Sequence, residues 1–283
     1  MIAELLLVGI GAALILWFSW KKGFFLWKEN TDWNRGFPFS LVILGFAIYF
    51  GVSYGSAVFY QTLFPSTFST TKEYVRYATW LNFFISFTIL SALLIFWRCF
   101  PLRIRSNLWK DSTEKRSYAK DFQMSLIAWL ITFPIVLFIN QLLELFLYRI
   151  IGIEEIPDQL AVRFVKMTAQ YPSYFFLALI SVVIMAPIIE EFLFRGLLQT
   201  YIRSRLGAKQ AILITSICFS FFHFSFEQGL GNLPIVGSLF PLALFLGFLY
   251  ERQHSLFASI GLHSLFNLFS IINLYFLGGI PCA

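Results

Sequence analysis

Charge is what this chain has least of. Only 13 % of its 283 residues are Asp, Glu, Lys or Arg, about half of what a soluble domain carries. The shortage excludes an ordinary soluble surface, because 58 % of the residues are hydrophobic and the mean hydropathy is +0.74. Cysteine is also scarce. Cys99, Cys218 and Cys282 match neither a disulfide framework nor a CxxC metal site. Cys282 is the penultimate residue, so it does not form a prenylation signal. No cluster of Lys and Arg interleaves with aromatics in a polar segment, so the net charge of +6 implies no nucleic-acid partner. The first apolar run lacks a basic start and a small-residue cleavage site, which reads as a retained span.

Long apolar runs dominate instead. Eight can be delimited, at roughly 3–20, 38–62, 78–98, 124–150, 174–204, 211–227, 234–250 and 256–277. The expected fold is an all-α, polytopic bundle of about eight transmembrane helices. The fifth run outlasts a bilayer span and ends at Leu206-Gly207, a plausible helix stop, with Arg203, Arg205 and Lys209 at its exit. The loops after odd-numbered runs hold fifteen Lys and Arg, and the opposite side holds five. That bias places both termini outside and the loop 102–122 in the cytoplasm, as expected for a multi-pass protein of the cell (inner) membrane. The same loop divides the chain into 1–120, three spans with few internal charges, and 121–283, five spans holding the polar residues of interest. Trp17, Trp20, Trp97, Tyr171 and Tyr201 fall near span ends, as an aromatic belt requires.

Glu190 and Glu191 interrupt the fifth run near its middle, with Arg195 following. Neighbours on a helix point about 100° apart, whereas residues four apart share a face. Glu191 and Arg195 can therefore pair as a structural or orienting ion pair, leaving Glu190 free to act as a general base. The competing reading is that both glutamates only pin helix packing. His223 lies in the sixth run and reads as mid-span; a hydrogen-bonded packing role competes with a catalytic one. His263 and Asn267 sit four apart on the last run and could donate two hydrogen bonds to an oxyanion, or could hold helices together. Together these groups are hard to explain separately, since each is costly in hydrocarbon. One water-filled cavity opening towards the cytoplasmic half would satisfy them all.

The segments Glu190-Glu191-Phe192-Leu193-Phe194-Arg195, Phe219-Ser220-Phe221-Phe222-His223 and His263-Ser264-Leu265-Phe266-Asn267 resemble the three motifs of the CAAX protease and bacteriocin-processing family of intramembrane glutamic endopeptidases, in the same order. The resemblance implies a core from about 121 to 277. It implies hydrolysis of peptide bonds in membrane-embedded or lipidated substrates by a glutamate-activated water. Glu190 and His223 would position and deprotonate that water, His263 and Asn267 would stabilise the oxyanion, and Glu191 with Arg195 would brace the site. It favours a reaction without a metal cofactor. A zinc site built from Glu190, His223 and His263 stays open at this stage, although there is no H-E-x-x-H. A cysteine nucleophile is disfavoured, because Cys218 lies about 140° round the helix from His223; it reads as a small packing residue. Asn140 and Glu144 form another pair, placed near a span end. The alternative function is a catalytically silent binding or bacteriocin-immunity protein of the same fold. A transporter fits less well, because the buried charge is confined to the second half.

Overall fold

The computed structural model describes residues 2–27, 37–65, 67–109, 117–153 and 156–276. Cys282 and the loop charges Lys28, Arg35, Lys110, Lys115 and Arg116 lie outside them. The described residues are 87 % helical, with no strand among them. The helices are α1 (Ile2–Lys21), α2 (Phe39–Leu63), α3 (Thr71–Arg98), α4 (Leu102–Leu108), α5 (Tyr118–Phe146), α6 (Leu160–Thr168), α7 (Pro172–Leu206), α8 (Ala208–Phe222), α9 (Asn232–Gln253) and α10 (Leu256–Phe276). It is an all-α polytopic bundle and a multi-pass integral membrane protein.

Each of the eight apolar runs contains a helix, but they are not equal. Seven are long and apolar enough to cross a membrane. The eighth, α8, has 15 residues and spans about 22 Å, against a hydrocarbon core of about 30 Å. Its outer face carries Leu213, Ile217 and Phe221, all exposed at four-residue spacing, which fits contact with lipid. Cys218 is also exposed, so it is not the packing residue its sequence position suggested. The polar loop 102–122 holds α4 and the first turn of α5, whose N-terminus is capped by Ser117 accepting from the Lys120 N–H.

The helix that matters most is α7. It is not uniformly α-helical: Ile180–Met185 and Phe192–Gln199 are π-helical, and they flank the α-helical turn Ala186–Glu191. Pro187 accounts for the first of these. The Ala186 N–H bonds the Ser181 carbonyl, an i−5 bond, and Pro187 has no N–H to offer. The Val182 carbonyl is thereby left without an intrahelical partner. Gly207, at φ 86°, then turns the chain directly into α8.

Helices α7 and α9 run parallel at a constant register offset of 48. The Arg195 Nη2 donates to the Ala243 carbonyl (3.0 Å), the Gln199 Nε2 donates to the Gly247 carbonyl (3.0 Å), and Arg203 faces Glu251 (3.9 Å). Gln199 also donates to Glu251 Oε1 at 2.9 Å. Arg203, which read as a loop charge, is buried in this seam. Gly247 is needed there, since a Cβ would stand 2.8 Å from Gln199 Oε1. Leu193, Leu197, Leu242, Leu246 and Leu249 fill the surrounding core without exposure.

Helix α2 packs against α7 in the antiparallel sense. Phe39 lies on Tyr201 (4.8 Å between ring centroids) and Phe46 on Phe194 (5.4 Å). Gly45 faces Leu197 so closely that any β-carbon would collide with it. Between α8 and α9 the backbone is irregular, and it carries its own hydrogen-bond partner. The Asn232 side chain accepts from the Ser225 N–H and donates to the Ser225 and Gly229 carbonyls. Lipid could satisfy none of these groups.

Candidate active site

Three helices bring the predicted residues together. Glu190 is on the α-helical turn between the two π segments of α7. His223 is the residue at which α8 ends, with φ −92° and ψ 2°. This corrects its reading as a mid-span residue: the helix stops there. His263 lies on α10. Glu190 Oε2 is 3.7 Å from His223 Nε2 and 3.9 Å from His263 Nε2. Neither distance is a hydrogen bond. A water about 2.8 Å from each group would fit between Glu190 and either imidazole.

Both imidazoles are oriented from behind. His223 Nδ1 lies 3.0 Å from the Phe219 carbonyl. A carbonyl can only accept, so Nδ1 carries a proton and the ring turns its Nε2 edge towards Glu190. His263 Nδ1 lies 2.9 Å from Glu191 Oε1. The same oxygen accepts from Arg195 Nη1 at 2.9 Å, in an ion pair with no exposure on either side. The Arg195 guanidinium is fixed further by the Ala243 carbonyl and lies 4.5 Å over the Phe219 ring. Phe219 in turn contacts both imidazoles, edge-on to His263 at 5.7 Å and tilted to His223 at 4.9 Å.

The two adjacent glutamates thus occupy different environments. Glu191 is fully buried, whereas the Glu190 and His223 side chains keep 16 % and 17 % exposure. Glu190 makes no hydrogen bond with its Oε2. The expected Glu191–Arg195 pair is present. What the sequence did not show is that Glu191 reaches across to His263.

Asn267 is placed differently. Its Nδ2 donates to the Val182 carbonyl at 2.9 Å, the group orphaned by Pro187. One amide proton is therefore committed to repairing α7, about a turn of α10 beyond His263. Asn140 and Glu144 hydrogen bond to each other at 2.7 Å on α5. Among the described residues, no group of three or more His, Cys, Asp or Glu side chains is disposed to hold a metal ion. The members missed in the sequence are Gln199 and Glu251. Gln199 could have been found, because it continues the four-residue spacing from Glu191 and Arg195.

Residues 172–269 match the family model described as Type II CAAX prenyl endopeptidase Rce1-like. Over those residues the chain is similar to that family. The match begins at the first residue of α7 and takes in α8, α9 and most of α10, so Glu190, His223, His263 and Asn267 all fall inside it. No curated protein and no solved structure matches the chain.

Proposed function

We propose that the protein is an intramembrane endopeptidase that cuts peptide bonds of membrane-anchored, lipidated substrates with a water activated by Glu190. The observation that carries this reading is the placement of Glu190 Oε2 between two imidazole nitrogens, 3.7 and 3.9 Å away. Glu190 accepts a proton from the water, and His223 Nε2 accepts the other hydrogen bond that aims it. As water attacks, the carbonyl oxygen becomes an oxyanion. His263, in its imidazolium form between Glu191 and Glu190, donates Nε2–H to that oxyanion. Glu190 then passes its proton to the departing amine as the C–N bond breaks. Glu191 and Arg195 hold His263 and its charge in place. Asn267 keeps the wall of α7 in register and has one amide proton left for the substrate.

The reading needs no metal cofactor. The active enzyme would keep its rate after exhaustive treatment with a chelator, whereas loss of activity that zinc restores would move Glu190, His223 and His263 to ligand roles. The loop charges support a cytoplasmic position for the segment between α3 and α5 and an outside position for both termini. The test uses an internally quenched, farnesylated peptide ending in a C-a-a-X sequence. Wild-type protein should cleave it and Glu190→Gln should not. Equal, absent cleavage by both would overturn the proteolytic reading in favour of a silent binding protein.

A further inference from the structure

We propose that Tyr49, on α2 and outside the matched region, is a further catalytic residue that donates a hydrogen bond to the substrate oxyanion. The assignment rests on the proteolytic reading above.

Three observations lead to it. First, the packing of α2 on α7 has a register. Phe39 meets Tyr201, Gly45 meets Leu197 and Phe46 meets Phe194. Each step forward on α2 is a step back on α7. One helical turn after Gly45, on the same face, Tyr49 comes level with residues 191–193 of α7, within a turn of Glu190. Gly45 makes this possible, because nothing larger would let the helices approach so closely. Second, the Tyr49 ring packs on Phe222 at 5.5 Å between centroids, immediately before His223. The side chain also stands within electrostatic reach of the Glu190 carboxylate. Third, Tyr49 is half-buried, and its hydroxyl makes no hydrogen bond among the described residues. A phenol in an apolar span usually finds a partner. Among the described residues, the charged group acting on it is the proposed base.

The chemistry has room for this group, because the donors already in place are only partly free. An oxyanion is best held by two donors. His263 supplies one, and one proton of Asn267 is spent on the Val182 carbonyl. A neutral phenol donor beside Glu190 stabilises negative charge on the carbonyl oxygen without competing for the proton that Glu190 must accept.

The test compares wild type, Tyr49→Phe and Glu190→Gln on the quenched farnesylated peptide. Tyr49→Phe keeps the ring against Phe222 and removes only the hydroxyl. It should lower kcat by about 10²–10³, the usual loss for one oxyanion donor, with KM and thermal midpoint unchanged. A non-cleavable phosphinate analogue of the same peptide, whose tetrahedral oxygens mimic the oxyanion, should bind Tyr49→Phe more weakly by a similar factor. Its affinity for uncleaved peptide, measured in the Glu190→Gln background, should stay the same. A wild-type rate for Tyr49→Phe while Glu190→Gln is dead would overturn the role of Tyr49 and leave the proteolytic reading standing. Lost activity together with a lowered thermal midpoint or a raised KM would overturn it too, since the residue would then be structural. If wild type cuts no better than Glu190→Gln, both proposals fall.

Discussion

Replacing Glu191 by Gln should cost the protein far more stability than the same change at Glu190, although the two residues are neighbours. Glu191 Oε1 accepts from Arg195 Nη1 and lies on His263 Nδ1, both at 2.9 Å, and neither member of the ion pair is exposed. Glu191→Gln leaves the buried Arg195 charge with the Ala243 carbonyl, the face of Phe219 and the weaker pull of Glu190, but without its ion-pair partner. Stranding one partner of a buried pair costs about 3–5 kcal/mol. For a chain of this size that lowers the melting temperature by roughly 6–20 °C. Glu190 is partly exposed and its Oε2 is unbonded, so Glu190→Gln should change stability by less than about 1 kcal/mol. Arg195→Gln should resemble Glu191→Gln. The double variant should lose less than the sum of the singles, because neither charge is then left alone. Cleavage should fall in every variant, for different reasons: Glu190→Gln removes the base, and Glu191→Gln removes the charge that supports the His263 imidazolium. The eight tryptophans allow thermal melts by intrinsic fluorescence in detergent. Equal melting temperatures for the two glutamate variants, or an additive double variant, would refute the charge argument.

Gly247→Ala should destabilise the seam between α7 and α9 by about 1–3 kcal/mol, because its Cβ would press on Gln199; the same fluorescence melt measures it. Asn267→Ala should cost about 1–3 kcal/mol by leaving the Val182 carbonyl unpaired, and Asn267→Ala combined with Pro187→Ala should recover part of that loss, since an N–H returns to the helix. Cys99 is exposed at the end of α3, so in a Cys218→Ser, Cys282→Ser background an impermeant maleimide should label it in inverted vesicles and not in intact cells. Labelling from outside would reverse the orientation inferred from the loop charges.

The sequence made the apolar runs plain because their length and continuity carry the signal. Glu191 and Arg195 were legible as a pair because four-residue spacing survives into the structure. The convergence of Glu190, His223 and His263 could be expected, since separate polar groups in hydrocarbon share one economical solution. Other features were not legible, for physical reasons. The end of α8 at His223 leaves no mark in a sequence that stays aromatic through Phe224 and Phe226. The π-helical stretches around Glu190 shift the carbonyls that need partners, so Asn267 was read as a substrate donor when one of its protons serves Val182. The link from Glu191 to His263 and the approach of Tyr49 depend on how helices pack, and periodicity along one helix says nothing about that. Arg203 looked like a loop charge because its partner, Glu251, is 48 residues away.

The shortness of α8 has a consequence for the membrane rather than for the protein. Its lipid-facing stripe offers about 22 Å of helix to a slab about 30 Å thick. The mismatch is confined to one flank, where the helix stops at His223, while the neighbouring spans are full length. Acyl chains there must shorten or disorder, at a cost of fractions of a kcal/mol per Å. Bilayer thickness is thus a force acting on one side of the candidate site. Lipids with shorter chains relieve it, and longer ones press against the irregular segment that Asn232 holds together.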